Sequence, residues 1–429
     1  MDLKERIATE MEAGRNRSLT LLEPLSEADQ VKQHSPIMSP LVWDLAHVGN
    51  YEELWLLQEV AGIPTTSPDI DGMYDAFEHP RAERTQLPLL PPSEARVYIA
   101  NVRGRVFDVL EKVEFEPARP LVADGYVYGM IVQHEHMHDE TMLATLNLMD
   151  GEGYRPVTTP PPRAKAVVGG EVLVAGGPFV MGTGSESWAY DNEKQAHTVN
   201  VAPFWIDVTP VTNAQYIEFV EAGGYDDPRF WDARGWKWRT KNHVEMPQFW
   251  ERDGAGSWSR TRFGWLEPLP PDEPAQHVCW YEADAFARWA GKRLPTEAEW
   301  EKAASWSPAG KKIRYPWGNN APTEERANLG QRHFGPASIG AYPGGASPWG
   351  CHHMIGDVWE WTSSDFLPYP GFTAFPYPEY SEVFFGPKYK VLRGGSWATH
   401  QTAVRNTFRN WDFPIRRQIF AGFRCARDA

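Results

Sequence analysis

Residues 126–149 read YVYGMIVQHEHMHDETMLATLNLM, a proline-free run that ends just before Gly151 and Gly153. Its length and apolar spacing predict a helix from about Tyr126 to Met149, stopped by the glycines. His134 and His138 stand four residues apart in it. That spacing puts both imidazoles on one face, about one turn apart, where they can chelate a metal without backbone strain. The run His134-Glu135-His136-Met137-His138 also satisfies the HExxH pattern of zinc hydrolases, in which Glu135 would be the general base. His136 falls on another face, toward solvent or behind the ligands.

Three more helices are expected upstream: Leu3 to Leu22, one after Ser39-Pro40, and one after Pro91-Pro92-Ser93 with proline in its first turn. Four helices suggest an up-down bundle, a fold that builds metal sites from facing helices. In SPLVWDLAHVGNYEELWLL (39–57), Trp43, His47 and Tyr51 form one row and Leu41, Leu45 and Val48 another. His47 can therefore add a third ligand from a second helix. Three neutral imidazoles leave a dication's charge uncompensated, which favours anionic ligands, thiolates above all. Imidazole suits iron, zinc and copper alike. The 74–91 connection is long for a bundle loop, and such loops are often functional.

The composition changes near residue 155. RPVTTPPPR (155–163) reads as a proline-rich tether. The expected organisation is a helical domain over 1–154, a linker over 155–166 and a second domain over 167–429. Downstream, short apolar runs such as Val172–Val174 and Phe179–Met181 alternate with Gly, Pro and Asn turns. Helices are expected over Asn213–Ala222, Tyr281–Ala290 and Thr296–Ser305. No internal repeat is evident, and the second half reads as α+β.

At 429 residues the chain is long for one domain and can bury a large core without staples. The formal charge of −15 comes with no Lys/Arg run, which argues against nucleic acid and anionic membranes as partners. Three widely spaced cysteines without CxxC offer neither a disulfide framework nor a thiolate metal site. The charged start MDLKERIATEMEAG lacks a secretory h-region, and no run of about 18 apolar residues could span a bilayer. A reduced cytoplasm is the expected location. Oligomeric state is not readable, and a monomer is the default.

Gly176-Gly-Pro-Phe-Val-Met-Gly182, RLPTEAEWE (293–301), YPWG (315–318), MIGDVWEW (354–361) and RGGSW (393–397) occur in order. Together they resemble the formylglycine-generating, or sulfatase-modifying-factor, family with its C-type-lectin-like fold. Most of these letters read as scaffold: glycines for tight turns, tryptophans for core, charges for buried pairs. Formylglycine generation uses two cysteines late in the fold, one soon after the RGGSW-like segment. Here that segment continues Ala398-Thr399-His400 and only Cys425 follows, which argues against that chemistry.

The N-terminal half looks like a DinB-like bundle. Its combination with the second domain resembles the ergothioneine-biosynthesis sulfoxide synthases, or hercynine oxygenases. The likeness is carried by residues 39–57, YDAFEHPRAER (74–84), QHEHMHDETML (133–143) and FRNWDFPIRRQIFAG (408–422), and spans essentially the whole chain. It implies that His47, His134 and His138 bind non-haem Fe(II). It also implies an O2-dependent reaction that joins a thiol sulfur to the imidazole of hercynine (trimethylhistidine) and leaves a sulfoxide. Tyr377 matches the active-site tyrosine that hydrogen-bonds or protonates an iron–oxygen species, with Tyr380 the neighbouring alternative. Asn410 and Trp411 match residues around hercynine, and a Trp face suits a quaternary ammonium. Arg81, Arg84, Asp412 and Arg416 match positions that hold γ-glutamylcysteine, arginines for its carboxylates and Asp412 for its ammonium. Met137 stands where relatives often carry Gln, and a thioether cannot donate a hydrogen bond to hercynine. The competing readings are a zinc hydrolase using Glu135 and a lectin-like binding protein. The set around Arg81 and Asp412 favours γ-glutamylcysteine over cysteine by analogy only.

Overall fold

In a computed structural model, the described residues are all except 1, 66, 71, 151, 152, 157 and 165–167. The chain forms two compact units. The first comprises 1–156 together with 185–188, and the second comprises 157–184 and 189–429. Of the expected linker, residues 157, 165 and 166 lie outside the described residues.

The first unit is helical: α1 (Leu3–Leu22), α2 (Glu27–Val31), α3 (Leu41–Glu52), α4 (Pro92–Lys112) and α5 (Tyr126–Asn147). Local signals set the starts. Asp2 accepts from Glu5 N at 2.8 Å while the Glu5 carboxylate accepts from Asp2 N at 3.0 Å, a capping box that opens α1. Pro92 occupies the first position of α4, where a missing N–H costs nothing. The short α2, capped by Ser26, was not expected. Helix α3 continues as a π-helix over Glu53–Val60. This wider turn lets two consecutive acids both point inward. Glu52 meets Arg15 and Arg103, and Glu53 accepts from the Tyr98 hydroxyl at 2.8 Å. Helix α1 packs on α5, and α3 packs on α4 and α5.

Two arginines and two glutamates form a buried square inside this bundle. Arg15 of α1 reaches Glu52 at 2.8 Å and Glu135 at 2.7 Å, and Arg103 of α4 reaches the same two acids at 2.6 and 2.9 Å. One residue from each long helix takes part, so the square pins all four helices in register. Residues 185–188 belong to this unit because Trp188 packs on Gly129 of α5. The Trp188 indole donates to Asp124 O at 3.3 Å, and its carbonyl accepts from Gln133 at 2.9 Å.

The second unit contains β1 (Glu171–Val174), β2 (Gly177–Met181), β3 (His197–Val201), β4 (Phe204–Asp207), α6 (Asn213–Glu221), α7 (Ala233–Lys241), β5 (Trp250–Arg252), β6 (Trp258–Arg262), β7 (Trp265–Pro268), α8 (Trp280–Trp289), α9 (Glu297–Ser305), β8 (Trp359–Phe366), β9 (Gly386–Arg393), β10 (Asn410–Asp412), β11 (Ala421–Gly422) and β12 (Ala426–Asp428). Its sheets run β1-β4-β12, β10-β9-β8-β11, β2-β3 and β5-β6-β7, all antiparallel except the β11–β8 pair. One core cluster gathers Phe179, Phe204, Ile206, Trp300, Met354 and Tyr369.

The motif charges are buried pairs, as expected. Arg393 of RGGSW meets Glu297 and Glu301 of RLPTEAEWE, each at 2.7 Å, and Glu360 of MIGDVWEW meets Arg424 at 2.7 Å. Gly394 has a φ of +93°, and a Cβ there would come within 2.6 Å of Met354 O, so this motif glycine is a steric requirement. Helix α7 and the β5–β7 meander were not anticipated. Among the described residues, no helix is long and apolar enough to cross a membrane.

Candidate functional site

Helices α3 and α5 bring His47, His134 and His138 together, with one potential ligand nitrogen from each within 4.8 Å of the others. Nε2 of His47 and Nε2 of His134 are 3.3 Å apart. A metal about 2.1 Å from two imidazole nitrogens holds them about 3.0 Å apart at a right angle and about 3.4 Å apart at a tetrahedral angle. The observed separation falls between, so the donors fit a mononuclear site.

Two of the rings are held from behind by an acceptor, and the third is held by stacking. Nδ1 of His47 donates to the Tyr74 carbonyl at 2.7 Å. A carbonyl only accepts, so Nδ1 carries the proton and Nε2 keeps its lone pair. Nδ1 of His138 faces Oδ1 of Asp44 at 3.1 Å, which fixes the same tautomer. The His134 ring stacks on Tyr51 at 3.9 Å, and His47 stacks on Trp43 at 4.6 Å. Burial, reinforced by the neighbouring His138, drives the pKa values of His47 and His134 well below the usual imidazole range, so both are neutral donors at pH 7.

Glu135 is turned away from the general-base role. Both of its oxygens are committed, one to Arg15 and one to Arg103. Burial alone would raise its pKa, but the two guanidinium groups prevail and hold it at about 2. A carboxylate fixed in this way does not serve as a base near neutrality. His136 is not at solvent. It is buried with Nδ1 3.1 Å from Asp139, and burial takes its pKa to about 4.

The 74–91 connection is a strap over α3. It contains a 3-10 turn over Arg81–Gln86. Arg84 is buried there. Its nitrogens donate to His79 O at 2.9 Å, the Ser39 hydroxyl at 2.6 Å and Ala76 O at 3.3 Å, and its guanidinium lies 3.5 Å over the Trp43 ring. Burial lowers its pKa to about 10. Arg81 is exposed and donates to Ile37 O at 3.3 Å. Met137 is half-buried on α5.

The remaining expected residues gather in the second unit. Trp411 stacks on Phe366 at 4.1 Å and meets the Tyr380 ring edge-on at 6.1 Å. Tyr380 is buried and stacked on Tyr190 at 4.2 Å, while Tyr377 stands half-buried 6.2 Å from Tyr380. Of the two tyrosines, Tyr377 is the more accessible. Asn410, Trp411 and Asp412 form β10 against β9, with Asn410 opposite Leu392. Asn410 Oδ1 accepts from Trp411 N at 2.8 Å, and Arg416 lies 3.4 Å from Asp412. All three cysteines are buried, with thiol pKa values pushed up by burial.

Sequence reading missed Asp44, Tyr51 and Tyr74 as supports of the histidines. For Asp44 and Tyr51 a signal existed, because they lie three residues before and four after His47. Tyr74 contributes a backbone oxygen, which no residue identity marks.

Comparisons with known proteins agree with this architecture. A DinB superfamily profile matches residues 10–142, and a sulfatase-modifying factor enzyme 1-like domain profile matches residues 156–429. The chain is 49% identical to a hercynine oxygenase of Mycolicibacterium smegmatis and 49% identical to one of Mycobacterium tuberculosis, covering 100% of this chain and 100% of the relative in both cases. A formylglycine-generating enzyme of Streptomyces coelicolor is 35% identical over 64% of this chain and 96% of its own length. Full-length identity at this level, on a helical unit carrying three convergent histidines joined to a sulfatase-modifying-factor-like unit, places the chain in the hercynine oxygenase family of ergothioneine biosynthesis.

Proposed function

We propose that this enzyme uses Fe(II) and O2 to join hercynine to the sulfur of γ-glutamylcysteine as a sulfoxide. The balance is simple: thiol plus imidazole C–H plus O2 gives the sulfoxide and one water. His47, His134 and His138 would hold the metal, which when bound would supply redox chemistry toward O2. The observation that carries this reading is the convergence of three histidines, two with Nδ1 on an acceptor and one stacked on Tyr51, in a chain about half identical to hercynine oxygenases over its full length. Neutral ligands leave the metal's charge for a thiolate to balance.

This chain's other residues divide the remaining work. Trp411 offers a π-surface to a trimethylammonium group, with Asn410 beside it. Arg81, exposed on the strap, suits a carboxylate of the thiol substrate, and Arg84 orders that strap while contributing positive charge. Asp412 and Arg416, 3.4 Å apart, suit an ammonium and a carboxylate of a substrate. Tyr377 is the proton donor that directs oxidation into C–S bond formation. Three buried thiols fit a reduced cytoplasmic setting.

The test is oxygen uptake by anaerobically Fe(II)-loaded protein, with hercynine, γ-glutamylcysteine and cysteine supplied singly and in pairs. Uptake should require hercynine and a thiol together, fastest with γ-glutamylcysteine. Uptake with thiol alone, indifferent to hercynine, would mark a thiol dioxygenase instead.

A further inference from the structure

Asp44 sets a carboxylate against the histidine cluster, and the bundle's ordinary needs do not account for it. The side chain is 1% exposed. Oδ1 lies 3.1 Å from Nδ1 of His138, while Oδ2 is buried with no hydrogen-bond partner among the described residues. Helix capping does not explain it, because the cap position of α3 is Pro40 and no side chain caps that end. Asp44 does sit in the first turn of α3, where the helix dipole lowers the cost of a negative charge. Arg84 attracts it electrostatically, but the Arg84 nitrogens donate to His79, Ser39 and Ala76. A buried carboxylate with one oxygen unused is expensive, so a fold that keeps one gains something in return.

We propose that Asp44 is a positioning residue for the metal centre, an inference that rests on the three-histidine reading above. Its carboxylate accepts the Nδ1–H of His138, which locks the ring's tautomer and turns Nε2 toward His47 and His134. It also supplies negative charge that three neutral ligands lack. The three supports are then unequal. The acceptor behind His47 is a neutral carbonyl and the neighbour of His134 is a stacked ring, so His138 is the ligand with charge-assisted donation. Carboxylate–histidine–metal relays raise ligand basicity, and their loss typically weakens metal binding by about 10–100-fold.

The experiment uses the full-length, metal-free protein titrated anaerobically with Co(II), with affinity read by chelator competition and the site read by visible d–d bands. Asp44→Asn should bind Co(II) about tenfold more weakly, and Asp44→Ala about 100-fold more weakly, with shifted bands in both. Metal-free Asp44→Asn should melt no lower than the parent protein, because an underused buried charge has been removed. A purely structural aspartate would do the opposite, lowering the melting temperature and leaving the Co(II) spectrum unchanged. Should Asp44→Ala fail to fold, the near-isosteric Asn variant decides. Parental affinity and bands in Asp44→Asn would overturn the role of Asp44. No Co(II) uptake by the parent protein would instead sink the three-histidine reading itself.

Discussion

The carbonyl oxygen of Tyr74 accepts the Nδ1 proton of His47 at 2.7 Å, so a residue on the strap sets the tautomer of a histidine on α3. The strap and His47 are therefore one mechanical unit, and Arg84 closes it by spanning His79, Ala76 and Ser39. His47→Ala removes one of three donors while α3 stays packed. Metal content after anaerobic reconstitution should fall by more than tenfold, with far-ultraviolet circular dichroism unchanged. Full metal occupancy in this variant would remove His47 from the ligand set.

Glu135 separates the two enzymatic readings. Glu135→Gln breaks a buried square of two arginines and two glutamates and leaves guanidinium charge undercompensated. A loss of about 3–5 kcal/mol in urea unfolding is expected. The folded fraction should retain oxygen uptake per bound iron. A zinc hydrolase with Glu135 as base requires the reverse, intact stability and no turnover.

The same residue gives a pH signature in the metal-free protein. The two arginines depress the Glu135 pKa from the usual 4.5 to about 2. Its contribution to stability is therefore fully present above pH 4.5 and is lost as the pH falls through that window toward 2. Urea midpoints measured from pH 6 downward should decline through this range, and Glu135→Gln should flatten the decline. Parallel curves for the two proteins would refute the assignment.

Trp188 and Gly129 make a steric pair. A Cβ on Gly129 would come within 2.2 Å of the indole. Alanine in a helix interior normally stabilises by about 1 kcal/mol relative to glycine. Here Gly129→Ala should instead cost about 1–3 kcal/mol through overpacking. Thermal melting of Gly129→Ala alone and combined with Trp188→Ala should show a loss smaller than the sum of the single changes. Strict additivity would mean the two do not meet.

Tyr377 and Tyr380 are separable by product analysis. Tyr377→Phe should shift the products from sulfoxide toward the sulfinic acid of the thiol. Tyr380, whose hydroxyl shares a hydrogen bond with that of Tyr190, should on mutation to Phe lose about 1 kcal/mol of stability while keeping the product ratio. A product shift in Tyr380→Phe but not Tyr377→Phe would exchange their roles.

The sequence by itself determined what local geometry controls. Helix α1 spans Leu3–Leu22 as its periodicity predicts, α4 opens at Pro92, and the four-residue spacing of His134 and His138 puts them on one face. The paired charges of the RLPTEAEWE and RGGSW segments were also legible, because buried arginines and glutamates need each other. Only the tertiary structure decided which partner each side chain found. Glu135 lies between His134 and His138 in sequence, yet helix rotation sends it to Arg15 and Arg103. Asp44 reads as a first-turn acid and becomes the neighbour of His138, 94 residues on. Tyr74 acts through its backbone oxygen, and residues 185–188 join a unit whose other residues end near 156. Helical periodicity fixes neighbours within a turn or two, whereas these pairings span tens of residues and depend on how whole helices and loops pack.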